Sequence, residues 1–164
     1  MSEPQPIDRV PQKVLAGYGY GTHLPALMDA FLRTSGPVLE MGAGWWSTPL
    51  LHDLCRQQER TLTTVEAVDQ WRRQFLDLAG PYHRFRDDPD DPMINVGRYG
   101  VILIDHATVR RQPDLIRLAD KADLIVCHDA NCANYRYDFS PFKFRRLWAE
   151  LSPATMVVSN VIQP

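Results

Sequence analysis

"VLEMGAGWWSTPLL", residues 38–51, decides the reading of the fold. The apolar run VLEM passes through Gly42 and Gly44 and two tryptophans, Trp45 and Trp46, into Ser47, Thr48 and Pro49, after which Leu50, Leu51 and Leu54 keep helical spacing. A short buried strand that turns sharply into a helix is the opening unit of a parallel α/β sheet, and glycines in that turn let the backbone approach a ligand closely.

Outward from this turn the chain keeps alternating. Strand-length apolar runs follow as LTTVE at 62–66, a short segment at 82–85, YGVILID at 99–105, DLIVCHD at 123–129 and ATMVVSN at 154–160. The runs VILI and LIV carry no polar alternation, the mark of strands covered on both faces. Between the strands lie helical patterns. Leu24, Leu27, Met28 and Phe31 share one face, with Thr22 as N-cap and Ser35-Gly36-Pro37 as the stop. Trp71, Phe75 and Leu78 form another, as do Leu115, Leu118 and Ala119. A last helix is predicted through Phe144, Leu147, Trp148 and Leu151, with Ser140 as N-cap and Pro141 at its first position. The alternation predicts a three-layer, doubly wound α/β fold with a mostly parallel, Rossmann-like sheet and right-handed crossovers.

Composition sets the class. With 164 residues, 45% of them hydrophobic, the chain can build one sizeable core. Residues 1–21, with Pro4, Pro6, Pro11 and the glycine-tyrosine segment, read as a flexible N-terminal arm, and 22–164 as a single domain. A formal net charge of −2 provides no basic field of the kind that gathers nucleic acid or anionic lipid, so neither is expected as a partner. Apolar runs fall far short of the ~20 residues that cross a bilayer, and the polar start lacks a signal peptide's apolar core, so the expectation is a cytoplasmic protein. Cys55, Cys127 and Cys132 form no CxxC pair, and reduced thiols are the default; Cys127 and Cys132 flank His128, but a buried strand thiol is the ordinary reading and zinc is discounted.

The first turn has G-x-G in Gly42 and Gly44, but Ser47 stands where the third glycine of a dinucleotide fingerprint would fall, which argues against a nicotinamide-dependent oxidoreductase. The pattern E-x-G-x-G-x-x-S-T, here Glu40, Gly42, Gly44, Ser47 and Thr48, resembles the first motif of class I S-adenosylmethionine-dependent methyltransferases, in the small-molecule branch that carries Ser-Thr at the helix start. Three further marks agree in order. TTVEAVDQW places Glu66, followed by Ala67, at the end of the second strand, 22 residues after Gly44. Asp105 ends the fourth strand with Arg110 and Arg111 shortly after, and His128-Asp129 ends the fifth. The resemblance runs from about residue 22 to residue 160 and implies S-adenosylmethionine as cofactor and an oxygen or nitrogen of a small molecule as methyl acceptor.

It also implies roles for individual residues. Glu40, Gly42, Ala43, Gly44, Ser47 and Thr48 would hold the methionine moiety, Glu66 and Ala67 the ribose, and Asp105 the methyl end. Trp46 or Trp45 would line the pocket near the sulfonium, where a cation over an aromatic face gains ~0.5–2 kcal/mol, while the other packs in the core. His128, Asp129, His106 and Asp105 form the catalytic constellation, with His128 or His106 as general base for a hydroxyl acceptor. Tyr18 and Tyr20 are candidates to close over the ligand, and Asp87 or Asp88, in the acidic run RFRDDPDDP, to reach the adenine. Asp105, Asp129 and Asn131 raise the question of a hard divalent ion, but Ala130 interrupts the adjacent Asp-Asn pair of the metal-dependent relatives, and a metal is not favoured.

Two departures from the family pattern stand out. After ATMVVSN only VIQP remains, so the C-terminal antiparallel hairpin reads as truncated. No insert defines an acceptor site, which leaves that task to the N-terminal segment or to another subunit, as in a homodimer. The rival reading is a non-catalytic methyltransferase-fold domain that binds the cofactor or a protein partner.

Overall fold

The computed structural model describes residues 20–164. The expected arm, including Tyr18, therefore lies outside the described residues except for Tyr20 and Gly21. Helix α1 (Leu24–Leu32) precedes β1 (Val38–Met41), α2 (Ser47–Gln57), β2 (Leu62–Val65), α3 (Asp69–Arg72), β3 (His83–Arg86), α4 (Pro92–Val96), β4 (Tyr99–Ile104), α5 (Arg111–Arg117), β5 (Ala122–Cys127), β6 (Phe144–Trp148) and β7 (Thr155–Ser159). Among the described residues, no helix is long and apolar enough to cross a membrane.

The seven strands form one sheet in the order β3-β2-β1-β4-β5-β7-β6. β1 pairs in parallel with β2 and β4, β2 with β3 and β4 with β5; β7 runs antiparallel to both β5 and β6. The strand order reverses beside β1 and β4, so the carboxyl ends of these two strands face a crevice between crossovers that leave in opposite directions.

Alternate residues of each central strand enter different cores. Leu39, Met41, Ile102, Ile104, Ile125 and Val158 pack with Ile94, Leu115, Leu118 and Phe142 on one face. Val38, Val101, Leu103, Leu124, Val126 and Val157 pack with Ala26, Leu27, Phe31, Leu51 and Cys55 of α1 and α2 on the other. This double cover is why VILI and LIV show no polar alternation.

Three elements differ from expectation. The segment predicted as the last helix is the strand β6, paired antiparallel with β7 from Phe144↔Ser159 to Trp148↔Thr155, so the C-terminal hairpin is complete. A spacing of four satisfies both the helical and the strand period, which is how Phe144 and Trp148 mimic a helix face; Leu147, three residues on, falls on the other face of the strand and is 52% exposed. The Trp71–Leu78 pattern is broken into α3 and a 3₁₀ turn at Leu76–Leu78, with Phe75 and Leu78 buried against Ala43. Thr22 does not cap α1; the N-cap is His23, with no side-chain cap bond.

Gly100 is the second residue of β4, where the strand meets the segment between α1 and β1. A Cβ there would collide with the Ser35 carbonyl and lie 2.8 Å from the Arg60 guanidinium, whereas one at Gly80 meets nothing within 4 Å. Gly100→Ala is therefore expected to destabilise the protein by at least about 1–3 kcal/mol and Gly80→Ala by well under half of that, as measured by urea unfolding. Equal effects would contradict this packing.

Candidate cofactor and acceptor site

The turn after β1 is built from below. Glu40 has no exposed surface, and its carboxylate accepts hydrogen bonds from Ser47 Oγ at 2.5 Å, from Thr48 Oγ1 at 2.9 and 3.0 Å, and from Thr64 Oγ1 at 2.7 Å. Thr48 Oγ1 in turn accepts from Gly44 N at 2.8 Å. Gly42 takes φ +101°, and a Cβ there would strike the Asp105 backbone and lie 2.9 Å from His106 Cα. Only glycine lets the β1 and β4 ends approach so closely. Glu66, at the end of β2, accepts from the amides of Ala43 at 3.2 Å and Val68 at 2.8 Å, and the Trp71 indole donates to the Ala43 carbonyl at 2.7 Å.

A cavity of about 600 Å³ opens above this turn, across the carboxyl ends of β1, β4 and β5. One end is walled by Ala43, Gly44, Ser47, Trp45, Trp46 and Trp71. Trp45 packs edge-on to Trp71 and against Phe75, with centroids 6.3 and 4.8 Å apart, while Trp46 lies against Gly21, from which an added Cβ would reach it at 3.3 Å. The other end is polar: Asp105, His128, Asp129, Arg111 and His23, flanked by Tyr20, Tyr135 and Pro153.

Arg111 organises the polar end. Only 5% exposed, it donates to Asp105 Oδ1 and Asp129 Oδ2 at 2.8 Å each, to the His106 carbonyl at 2.7 Å and to the His128 carbonyl at 3.2 Å, and its guanidinium lies 3.9 Å over the Tyr135 ring. Burial pushes the Asp105 carboxyl up, but the His128 hydrogen bond and the charges of His128, His23 and Arg111 outweigh it and hold the group below the usual carboxylate range. His128, held by its backbone amide to Ile104 O, has both ring nitrogens engaged: Nδ1 with Asp105 Oδ1 at 3.1 Å and Nε2 with Thr22 Oγ1 at 2.9 Å.

Several expected residues take other positions. Glu40, Gly42, Thr48, Glu66 and Ala67 do not line the cavity; the first three shape the turn from beneath, and Glu66 holds the Ala43 amide from the end of β2. His106 turns away from the cavity to Asp114, 2.7 Å from Nε2, in a cluster that also receives Arg110 and Arg117. Asn131 is committed to the Ala154 amide at 2.9 Å, so Asp105 and Asp129 clasp Arg111 rather than joining Asn131 around a hard ion. Neither Asp87 nor Asp88 reaches the cavity wall. The residues that sequence reasoning missed are His23, Thr22 as a His128 partner, Trp71 as cavity wall and Tyr135. Their one signal was the histidine of GYGYGTH, a polar aromatic just before an apolar helix face.

No protein-family model and no curated protein matches this sequence. Solved structures do match in fold. A methyltransferase of Podospora anserina with S-adenosylhomocysteine bound superposes with a TM-score of 0.64 at 11% identity, over 93% of this chain and 80% of that one. A Klebsiella pneumoniae protein described as an O-methyltransferase gives 0.62 at 15% identity, over 99% and 92%. An rRNA methylase of Streptococcus thermophilus gives 0.57 at 10%, over 85% and 96%. At these identities the likeness establishes the fold: a seven-stranded methyltransferase-type sheet.

Burial raises the Glu40 pKa from 4.5 to about 7, against the opposing pull of the Ser47, Thr64 and Thr48 hydroxyls. The folded protein thus holds this proton more tightly than the unfolded chain, so Glu40 costs nothing below pH 4.5 and subtracts stability as pH rises through about 7. The full difference is about 3 kcal/mol. His23 and His83 act in the opposite sense: burial lowers them from 6.5 to about 4 and about 3, so their contribution is intact above pH 6.5 and is lost as pH falls through those values. Urea unfolding of Glu40→Gln beside the unsubstituted protein isolates the first effect. The difference should shift by about 3 kcal/mol in favour of the variant between pH 4.5 and pH 8, and a difference flat in pH would contradict it.

Proposed function

We propose that the protein is an S-adenosylmethionine-dependent methyltransferase acting on an oxygen or nitrogen of a small molecule. The observation that carries this reading is one cavity, at the strand ends of a methyltransferase-type sheet, with a glycine turn at one end and a buried histidine–carboxylate–arginine cluster at the other. When bound, S-adenosylmethionine supplies an electrophilic methyl on a sulfonium.

The residues fit such a ligand. Gly44 is a cradle that a side chain would fill, since a Cβ there would meet only Ser47 Oγ, at 3.3 Å, before entering the cavity. The Gly44–Ser47 turn opens α2, whose amides favour the methionine carboxylate. Glu66 stands at the end of β2 with lone pairs beyond those used by Ala43 and Val68, enough to accept ribose hydroxyls. Trp45 and Trp71 offer aromatic faces at the same end. Asp105, Asp129, Tyr135 and His128 bound the acceptor end, where alignment of the reacting atoms is the main task of the protein. His106 has no part in this reading, because it points to Asp114. His128 is a positioning group rather than the base, because neither of its nitrogens is open to an acceptor. A net charge of −2 gives the chain no overall basic field to draw a nucleic-acid acceptor, which favours the small-molecule reading.

Calorimetric titration with S-adenosylmethionine, S-adenosylhomocysteine and, as control, NAD tests the assignment. Micromolar binding of both sulfur ligands and none of NAD is expected. Gly44→Trp should weaken both at least about tenfold with little change in melting temperature, because the indole would occupy the cavity. Unchanged affinity would refute this placement, and no binding to the unsubstituted protein would leave the fold serving another ligand.

A further inference from the structure

Around His128 the hydrogen-bond network brings two electron lone pairs face to face. The Pro153 carbonyl can only accept, so the Thr22 hydroxyl, 2.8 Å away, donates to it. The same hydroxyl oxygen then accepts from His128 Nε2–H at 2.9 Å. Neutral His128 consequently carries its lone pair on Nδ1, which faces Asp105 Oδ1 at 3.1 Å. That oxygen is itself an acceptor, taking the Arg111 N–H at 2.8 Å. Two acceptors so placed repel unless a positive species joins them, either a proton or a metal ion.

His23 stands beside this pair. It is 1% exposed, its ring centroid lies 4.5 Å from that of His128, it lines the cavity, and neither of its nitrogens has a hydrogen-bond partner among the described residues. A buried polar group left unpaired costs about 1–3 kcal/mol, so the ring calls for a partner. One donor atom from each of His23, Asp105 and His128 lies within 4.8 Å of the other two.

We propose that His23, Asp105 and His128 are the protein ligands of a single divalent transition-metal ion, whose open coordination positions face the cavity. The 3.1 Å between Nδ1 and Oδ1 is close to the edge of a coordination octahedron with bonds of about 2.1 Å, which is about 3 Å. Among the described residues, the His23 ring has no hydrogen bond to give up on closing inward. The outer groups are in place: the Nε2–H of His128 is held by Thr22, and the carboxylate of Asp105 by Arg111. Two imidazoles with one carboxylate suit iron, cobalt, nickel, copper or zinc better than magnesium or calcium. Metal binding stands independently of the methyl-transfer reading; the further role, in which the open positions orient an acceptor oxygen and ease loss of its proton, rests on that reading.

Titration of the full chain with Co(II), followed by visible absorption and calorimetry, tests the site. Expected are one Co(II) per chain and an affinity at least about tenfold weaker in His23→Ala and in Asp105→Asn. His52→Ala should bind as the unsubstituted protein does, since His52 and His83 form a separate pair with Nδ1 atoms 3.3 Å apart. No saturable binding, binding untouched by His23→Ala, or binding lost in His52→Ala would overturn the proposal. If His23→Ala fails to fold, electron paramagnetic resonance of Cu(II) on the unsubstituted chain decides: coupling to two imidazole nitrogens supports the site, and coupling to one or none overturns it. A parallel titration with S-adenosylmethionine separates the two claims. Cofactor binding without Co(II) binding removes the metal site alone, and Co(II) binding without cofactor binding keeps the metal site and removes its role in methyl transfer.

Discussion

A carboxylate shut away from water sits at the point where β1 becomes α2. Glu40 would be costly there if its oxygens were unpaired, and three hydroxyls, from Ser47, Thr48 and Thr64, meet them. Because two of those hydroxyls belong to the first turn of α2, satisfying the carboxylate also draws the helix start down onto the strand end. Thr48 passes the constraint on by accepting from the Gly44 amide. The Thr64 hydroxyl, having donated to Glu40, accepts from Nε2 of His83 at 2.8 Å, which fixes that ring's tautomer and ties β3 into the same network. The turn is thus tethered from beneath, and its upper side is left to face the cavity.

The opposite end of the cavity is organised by a cation rather than an anion. Arg111 is buried between Asp105 and Asp129, and four of its five N–H donors meet the two carboxylates and two backbone carbonyls that surround it. A buried guanidinium so paired holds the ends of β4 and β5 at a set distance, and removing one partner would leave a charge uncompensated at a cost of about 3–5 kcal/mol. Its presence accounts for the arrangement of the acids: they converge on the arginine, and Asn131 is free to bind the Ala154 amide. The two ends meet at Gly42, whose missing side chain lets the backbone after β1 lie against Asp105 and His106.

How much of this was legible varied with the kind of signal. The parallel strands were readable because double burial leaves uninterrupted apolar runs, as in VILI and LIV. The glycine turn and the strand-end positions of Glu66, Asp105 and His128 were readable because the doubly wound topology places ligand-facing groups at carboxyl ends. β6 reads as a helix in sequence because Phe144 and Trp148 are four apart, a spacing shared by both periodicities, and only pairing with β7 breaks the tie. Roles within the site were less legible than positions. Glu40 and Gly44 are two strides along one motif, yet one is enclosed and the other walls the cavity, and nothing in their spacing tells which.

By itself, then, the sequence determined the alternation of strands and helices, the sharp turn at residues 42–48 and the residue types at the strand ends, since these follow from local periodicity, glycine geometry and chain order. Only the tertiary structure decided which of those residues share a space. His23 and His128 are 105 positions apart and become neighbours because α1 packs beside β5 and β7; His106, adjacent to Asp105 in the chain, is carried away from the cavity towards Asp114. Side-chain partners across such distances depend on the direction in which each strand end points and on which buried polar group most needs a partner, and both are properties of the packed whole.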